Sequence, residues 1–500
     1  MSFSRETAPI SAGKRNNTAK KWIAFGGFLI GFVWLYFYLG THLVYQTNRD
    51  RLNYDQQHNI TLAFTAIERA EQSIQPGESI TSAMWRSFPH YTDGVVNPLW
   101  PWVASKFADT DHDRFFEKGK WFNVTVTCAF LVLVGVLAAR AFSFVSASIL
   151  MLLGGLGAML PRAAYFQPEP IYYILFLLSW ICALSLLRKN SLWLYGMLGF
   201  LFGLSFLAKG GWQPFALVFV GVSFLRFLVS IIQGRWRGDE DERWSLPNQF
   251  VGMAVMFTAF MMTAGPRLSF ASDKFGDPFH SYPGYWMWMD DFDEGSRFMV
   301  NHSSKDALKA MKPEEKPSLG NYLKTHDRAT FIERLRSGTE KKMKELMFPP
   351  EVTQNNKKTK LWRQILPQRG WLLIWLFIIL VVISVFHHIA WRNRDKLVWP
   401  VGSQSARWML LFAFGTFTIS SLAFGFYEPI GKGDRFMLGL FLPMVLTFIW
   451  VTERFRRQLQ RTSMAKKVNI VFYSMMTVPL LVIGFRIIQL IDTPLFWTSS

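Results

Sequence analysis

The sequence predicts an all-α fold, a polytopic membrane helical bundle of about eleven transmembrane helices with extracytoplasmic interfacial helices. Apolar runs of about 20 residues, the length that spans a bilayer as a helix, recur along the whole chain. Half of the 500 residues are hydrophobic, 16% are aromatic and 18% are charged, against about 25% charged in typical soluble domains. This composition excludes a soluble globular enzyme, a disulfide scaffold and a disordered chain.

Eleven segments are long and apolar enough to be spans. The first follows a basic lead and is too long for a cleavable signal peptide, so we interpret it as a retained signal-anchor. Glycine and serine are frequent in the third and the fifth. In chain order, the predicted spans cover residues 22–45, 121–139, 143–160, 167–187, 191–208, 212–233, 249–265, 370–390, 407–427, 436–452 and 468–486.

Basic residues predict the orientation, because cytoplasmic loops of membrane proteins carry an excess of Lys and Arg. With the N-terminus inside, twenty Lys and Arg residues lie in the inner segments and four lie in the short outer loops. This bias predicts a multi-pass protein of a bacterial-type plasma (inner) membrane with a cytoplasmic N-terminus. It also accounts for much of the net charge of +19, so we expect no nucleic-acid partner.

Two long segments are then outside, and they divide the chain into three predicted parts. Residues 1–265 form an N-terminal transmembrane module whose first outer loop covers residues 46–120. Residues 266–369 form a second extracytoplasmic region, and residues 370–500 form a C-terminal transmembrane module. Within the first loop, the stretch 57–74 has its large apolar residues on one helical face. That face predicts either an amphipathic helix at the membrane interface or a surface helix packed on the bundle.

The first outer loop contains a candidate catalytic carboxylate, Asp93. It lies in the run His90-Tyr91-Thr92-Asp93-Gly94, and an Asp-Gly pair by itself indicates only a turn. A Pro- and Trp-rich stretch follows, which would pack the carboxylate against the edge of a cavity, where burial raises its basicity. Asp93 is therefore suited to accept the proton of an attacking hydroxyl, with His90 and Tyr91 as candidate substrate-binding residues.

A second candidate catalytic carboxylate, Glu169, opens the fourth predicted span. Ionisable residues at membrane depth are costly and often functional, but a carboxylate at a helix N-terminus also stabilises the helix dipole. Both interpretations stay open. Arg162, seven residues earlier, is a candidate partner for Glu169 or for a phosphate. Lys209, followed by two glycines, either approaches an anionic ligand or extends toward lipid headgroups.

The last outer loop favours phosphate binding, because glycines flank Lys432 and because Arg435 precedes a span. The loop is too short and irregular for the P-loop of nucleotide-binding proteins. An acidic cluster at 290–294 is either a solvated surface or a minor candidate site for a divalent metal. No other cofactor is indicated.

These residues place anion-binding cations and two carboxylates on one predicted side of the membrane. Such a set suits glycosyl transfer from an anionic lipid, because a carboxylate would take the proton of the acceptor hydroxyl while Arg and Lys stabilise the leaving phosphate. The sequence has no Rossmann fingerprint for a nucleotide-sugar. Two alternatives stay open. One is a transporter or flippase of an anionic lipid or metabolite, and the other is a scaffold that binds a partner through 266–369.

Several short motifs occur in a fixed order on the predicted outer side. They are Tyr91-Thr92-Asp93-Gly94, Asn97-Pro98-Leu99-Trp100-Pro101, Lys118-Gly119-Lys120 with Asn123, Glu169-Pro170 and Leu207-Ala208-Lys209-Gly210. In this order and sidedness the chain resembles the GT-C superfamily of integral-membrane glycosyltransferases, more narrowly its protein-mannosyltransferase and aminoarabinose-transferase branch. The resemblance covers most of the first 300 or so residues and is looser afterwards. It departs from the mannosyltransferases at Gly94, where they have a second acidic residue.

The resemblance implies a polyprenyl-phosphate sugar as donor and a glycan, lipid or protein as acceptor, with membrane lipids around an extracytoplasmic active site. By the same analogy, Asp93 would be the base or would position the acceptor, Glu169 would be the acidic residue of the second loop, and Arg435 would contact the lipid phosphate. Direct displacement would invert the anomeric centre. Some relatives use a metal and others do not.

Overall fold

The computed structural model describes residues 12–47, 50–52, 55–233, 246–347, 368–392, 404–431 and 434–491. Every regular element in these ranges is a helix, so the predicted all-α class is confirmed. Ten helices in the described ranges are long and apolar enough to cross a membrane. The chain is therefore a multi-pass membrane helical bundle.

The first eleven helices form the N-terminal part of the bundle, and a long segment with three short helices separates the first apolar helix from the next. Two π-helical turns, Leu43–Thr47 and Gly155–Met159, extend the helices before them. The helices are α1 (Ala12–His42), α2 (Gln56–Gln72), α3 (Ile80–Arg86), α4 (Leu99–Ser105), α5 (His112–Ala141), α6 (Phe144–Gly154), α7 (Leu160–Ala163), α8 (Glu169–Arg188), α9 (Leu192–Ala208), α10 (Gln213–Ile232) and α11 (Leu246–Phe275).

The rest of the described chain begins with a second long segment of five helices and ends with four long apolar helices. A single 3₁₀ turn, Asp434–Phe436, precedes the third of those four. The helices are α12 (Tyr282–Trp286), α13 (Phe292–Asn301), α14 (Lys305–Ala310), α15 (Leu319–Thr325), α16 (Arg328–Met347), α17 (Gln368–Arg392), α18 (Gln404–Phe426), α19 (Leu438–Leu459) and α20 (Ala465–Ile491).

The fifth predicted span differs from the others in length. It forms α9, whose 17 residues place it outside the ten long helices. At 1.5 Å per residue α9 is about 25 Å long, against a hydrocarbon core of about 30 Å. Its glycines serve close packing on α11, because a Cβ on Gly199 would overlap the backbone carbonyl of Met256 and one on Gly203 would overlap Thr263.

Two helices extend beyond their predicted spans into the long segments. Helix α5 begins at His112, where Asp111 caps it by accepting hydrogen bonds from two backbone N–H groups. Helix α11 continues to Phe275, so the predicted boundary between residues 265 and 266 falls inside a helix. The added turns are polar on one side and therefore lie outside any purely apolar window.

The apolar face of α2 packs on the protein, which is the second of the two alternatives for this stretch. Ile60 and Ala63 are completely buried in a cluster with Trp100, Phe115 and Phe166. These partners come from α4, from α5 and from the loop before α8. Helix α2 is therefore fixed across the ends of two apolar helices, and this packing determines where its polar residues lie.

Candidate active site

Charged residues from several loops gather at the first turn of α2, at one end of the bundle. Asp55 is the N-cap residue of α2, but its side chain caps no backbone N–H. It accepts a hydrogen bond from Nη1 of Arg435 at 2.6 Å instead. His58 lies three residues later on the same side of α2, at a Cβ separation of about 5–6 Å by helix geometry. Its ring forms an ion pair with Asp93.

Asp93 is held from two directions. Its Oδ1 accepts hydrogen bonds from the backbone N–H groups of Val95 and Val96, both at 2.9 Å. Its Oδ2 is hydrogen-bonded to Nε2 of His58. An ionised carboxylate only accepts hydrogen bonds, so Nε2 is the donor. The turn in which Asp93 lies is therefore the Asp-Gly turn that the sequence predicts, and Oδ2 of its carboxylate faces His58 on α2.

The pKa values of this pair move apart. Burial raises the pKa of the Asp93 carboxyl, but the hydrogen bond and charge of His58, with the two backbone N–H groups, outweigh burial and hold that pKa below its usual value. The hydrogen bond from His58 to Asp93 raises the pKa of His58 above the usual 6.5 despite partial burial. Asp93 is therefore ionised at neutral pH, and His58 is the member of the pair whose pKa is raised.

Glu169 and Lys209 form a second, more deeply buried ion pair. Glu169 lies in the first turn of α8 and is 1% exposed, and its Oε1 accepts a hydrogen bond from Nζ of Lys209 at 2.5 Å. Its Oε2 is buried and has no hydrogen-bond partner among the described residues. The N-cap position of α8 is Pro168, which makes no side-chain cap. Glu169 is thus joined to a cation from the end of the next helix.

The two ion pairs belong to one electrostatic cluster. The charges of Arg435 and Arg162 act on Glu169 in addition to that of Lys209. The backbone carbonyl of Arg435 accepts a hydrogen bond from the Tyr173 hydroxyl at 2.7 Å, which fixes the 3₁₀ turn against α8. We call this set the charged cluster, and it consists of Asp55, His58, Asp93, Arg162, Glu169, Lys209 and Arg435.

Two predicted substrate-binding residues lie outside the charged cluster. Nδ1 of His90 is hydrogen-bonded to the backbone carbonyl of Phe88 at 3.0 Å. The Tyr91 ring lies under the guanidinium of Arg69, 4.2 Å from the ring centroid. Both residues line a small cleft of about 20 Å³ beside α2, which is about the space of one water molecule. They support the first-loop turn and lie next to the cluster rather than in it.

The remaining predictions concern Lys432 and a metal. Lys432 lies outside the described residues. In the part of the chain that the structure describes, no group of three or more His, Cys, Asp or Glu residues lies close enough to hold a metal ion. In the acidic cluster at 290–294, Asp290 pairs with His326 at 3.1 Å and with Arg334 at 3.4 Å, and Asp291 caps α13. These acidic groups therefore serve ion pairing and helix capping.

Asp55 and His58 are functional candidates that the sequence-based reasoning missed. They begin a stripe of residues at helical spacing, which continues through Leu62 and Ala66 to Arg69 on the side of α2 that faces the first-loop turn. The signal that could have identified them is this second row of residues at helical spacing. It has charged or polar residues at both ends and lies on a helix whose other face is apolar.

The charged cluster can bind an anion and accept a proton in one place. Three cations suit a phosphate group, and the carboxylates with His58 suit hydroxyl groups and proton transfer. No protein-family model matches the chain, and a search of curated proteins finds no match either. The function proposed below therefore rests on the chemistry of the cluster.

Proposed function

We propose that the chain is a membrane glycosyltransferase. It moves a sugar from a polyprenyl-phosphate donor to a hydroxyl of a glycan, lipid or protein acceptor, on the extracytoplasmic face of the plasma membrane. One observation carries this proposal: cations and carboxylates converge at the first turn of α2, where several apolar helices begin or end. The order of motifs shared with GT-C glycosyltransferases adds support.

The depth of the cluster favours a lipid-linked anion. Glu169 is the first residue of α8, and Lys209 directly follows the last residue of α9, so their ion pair lies at the edge of the apolar layer. The phosphate of a polyprenyl phosphate lies at this depth, with its chain among apolar side chains. A soluble anion would have no need of a site so close to the hydrocarbon.

Arg435 is the residue best suited to the donor phosphate. Its side chain is 24% exposed and is paired with Asp55, whose side chain is 52% exposed, so a phosphate can reach it and replace the carboxylate. A guanidinium binds phosphate through two parallel hydrogen bonds and keeps its charge at any working pH. In the transfer it would stabilise the negative charge that develops on the leaving phosphate.

The carboxylates divide the remaining tasks. Glu169 neutralises Lys209 and has a second oxygen available, which suits a hydrogen bond from a sugar hydroxyl. Asp93, with His58 on the next turn from Asp55, suits the acceptor hydroxyl. The acceptor oxygen then attacks the anomeric carbon on the face opposite to the phosphate, which inverts that centre.

The test compares two arginine variants in liposomes. Purified protein receives a panel of radiolabelled polyprenyl-phosphate sugars and a membrane extract as the acceptor source. We expect Arg435→Gln to lower transfer by about 10²–10³-fold, the usual loss for one charge-stabilising group. Arg86→Gln is the matched control, because Arg86 also pairs with a carboxylate, Glu78, through two guanidinium nitrogens. We expect this control to stay close to the wild type.

Two results would count against the proposal. Equal transfer by both variants would remove Arg435 from the donor site. No transfer by the wild type from any donor, with the protein folded, would exclude the glycosyltransferase. A flux of labelled lipid across the same liposomes would then favour a transporter or flippase.

A further inference from the structure

The hydrogen bonds of Asp93 leave it poorly placed to act as a base itself. One carboxylate oxygen accepts from the backbone N–H groups of Val95 and Val96, and the other accepts from His58. Its side chain is 20% exposed. A carboxylate that accepts three hydrogen bonds in its charged form is stabilised as the anion and is a weak proton acceptor. Its geometry is that of a group that holds another residue in place.

His58 has the opposite properties. Its side chain is 48% exposed, which makes it the accessible member of the pair. Because Nε2 donates to Asp93, the neutral ring carries its lone pair on Nδ1, and Asp93 fixes this tautomer. A carboxylate in this position also stabilises the imidazolium that forms when the ring takes a proton.

The position of His58 relative to the phosphate-binding residues also fits a base. Asp55, one turn earlier on α2, holds Arg435. The Cβ atoms of Asp55 and His58 are separated by about 5–6 Å in an α-helix. A sugar whose phosphate lies on Arg435 would therefore have its anomeric carbon within reach of an acceptor hydroxyl held at His58.

We propose that His58 is the general base of the transfer and that Asp93 is the positioning residue that holds it. This inference rests on the proposed glycosyltransferase function. The acceptor oxygen forms a bond to the anomeric carbon while its proton moves to Nδ1 of His58. The bond between the anomeric carbon and the phosphate oxygen breaks, and its electron pair stays on the released polyprenyl phosphate. The proton leaves the imidazolium for water after the product departs.

The charges around His58 determine its titration. Asp93 from the first-loop turn and Asp55 from the same helix both favour the protonated ring. The charge of Lys274 on α11 also acts with Asp93, and the charge of Arg435 on the 3₁₀ turn also acts with Asp55. The hydrogen bond from His58 to Asp93 is the largest influence and outweighs partial burial, so the pKa of His58 lies above its usual value of 6.5. Activity that needs the neutral ring is then lost as the pH falls below that raised value.

The experiment measures transfer by the full-length protein in liposomes at saturating donor across a range of pH. The variants are His58→Gln, His58→Ala with and without added imidazole, and Asp93→Asn. His326→Gln is the matched control, because His326 also pairs with an aspartate, Asp290, at 3.1 Å, in the second long segment. The donor KM is determined together with kcat for each protein.

We expect both His58 variants to lower kcat by about 10²–10⁴-fold, the usual contribution of a general base, with little change in the donor KM. Imidazole should restore part of the activity of His58→Ala, which a merely structural residue would not allow. Asp93→Asn should lower kcat because its amide N–H faces Nε2 and reverses the tautomer. The midpoint of the pH profile of Asp93→Asn should lie at a lower pH than that of the wild type, because the charge that raises the pKa of His58 is gone.

Two outcomes would overturn the inference, and they differ from each other. If the wild type transfers sugar and both His58 variants remain active while Asp93→Asn does not, Asp93 is the base. The activity of the wild type would then fall only below the ordinary carboxylate range, because the pKa of Asp93 is lowered by its hydrogen bonds. If the wild type transfers no sugar at all, the glycosyltransferase proposal fails, and the base assignment fails with it.

Discussion

Two buried glutamates at opposite ends of the bundle have different surroundings. Glu453, near the end of α19, is 1% exposed and uses both carboxylate oxygens. Its Oε1 accepts from the backbone N–H of Ser143 at 2.9 Å and from the Ser146 hydroxyl at 2.7 Å. Its Oε2 accepts two hydrogen bonds from Arg456. Every strong acceptor position on this carboxylate is occupied by a neighbouring group.

Glu169 is equally buried but has far fewer partners. It receives one hydrogen bond, from Lys209, and its Oε2 receives none from any described residue. The cation comes from another helix, whereas Arg456 lies one turn from Glu453 on the same helix. Burying a charged oxygen without a hydrogen-bond partner lowers the free energy of unfolding.

The difference is the one that we expect between a structural ion pair and one that binds a ligand. At Glu453 the carboxylate closes the N-terminus of α6 against α19, and nothing is left to bind a ligand. At Glu169 one carboxylate oxygen has no hydrogen-bond partner among the described residues, and the charges of Arg435 and Arg162 act on the same carboxylate. The number of unused hydrogen-bond positions therefore tells the two sites apart, although burial and charge are alike.

The largest expected effect on stability is at the saturated site. Glu453→Gln removes the charge opposite Arg456, whose guanidinium is buried. Breaking one side of a buried ion pair costs about 3–5 kcal/mol. We expect the unfolding midpoint in mixed SDS micelles to fall accordingly, while the turnover of the folded fraction stays at the wild-type value.

The matched control for this change is Glu315→Gln. Glu315 also pairs with a cation three residues away, Lys312, but both side chains are mostly exposed. Exposed pairs contribute at most about 1 kcal/mol, so the midpoint should hardly move. Equal midpoints for the two variants would show that the hydrogen bonds of Glu453 add no stability. Glu453 would then not be a structural ion pair.

The next effect in size is at the unsaturated site and concerns turnover. Glu169→Gln keeps the shape of the side chain and removes its charge, so Lys209 loses its counter-ion and the spare acceptor is weakened. We expect transfer to fall by about 10²–10³-fold, which is about 2.7–4 kcal/mol. Single-turnover rates with bound donor measure this loss.

Stability should change less at Glu169 than at Glu453. The Lys209 side chain is 18% exposed at a helix end, so it can reach water after Glu169 is replaced. A midpoint shift as large as that of Glu453→Gln, with normal turnover, would make Glu169 a structural residue and contradict the distinction drawn here.

The helical bundle could be predicted from the sequence because the bilayer demands long apolar runs, and these runs are visible without any tertiary information. What could not be predicted is where a helix departs from this pattern. The close packing of α9 on one neighbour, α11, depends on which residues face its glycines in the folded chain. The continuation of α11 to Phe275 depends on contacts that form only in the folded chain.

The candidate site could likewise be predicted only in part. Glu169, Lys209 and Arg435 stood out because charges at the ends of apolar spans are conspicuous. Asp93 stood out because a Pro- and Trp-rich stretch follows its Asp-Gly pair. His58 did not, because a histidine in a polar helix is ordinary until the packing of α2 turns it toward the Asp-Gly turn. Which charges pair with which is therefore a tertiary property, fixed by the buried face of α2.

The smallest expected effect comes from a change that leaves every charge in place. Gly94 has a φ of +92°, and a Cβ there would lie 2.6 Å from the Tyr282 ring. That ring cannot move freely, because the Tyr282 N–H donates to the Gly94 carbonyl and its hydroxyl donates to the His302 carbonyl. We expect Gly94→Ala to cost about 1–3 kcal/mol of stability and to lower turnover by displacing Asp93 from His58.

Gly77→Ala isolates the backbone strain from this displacement. Gly77 also has a positive φ, +79°, but a Cβ there would meet no atom within 4 Å. It should lose about 1–2 kcal/mol, the usual cost of a left-handed residue, with normal turnover. Turnover in Gly94→Ala equal to that in Gly77→Ala would mean that the cluster tolerates a shift of the Asp-Gly turn. The hold of Asp93 on His58 would then contribute nothing to the chemistry, whereas a selective loss in Gly94→Ala would tie turnover to that contact.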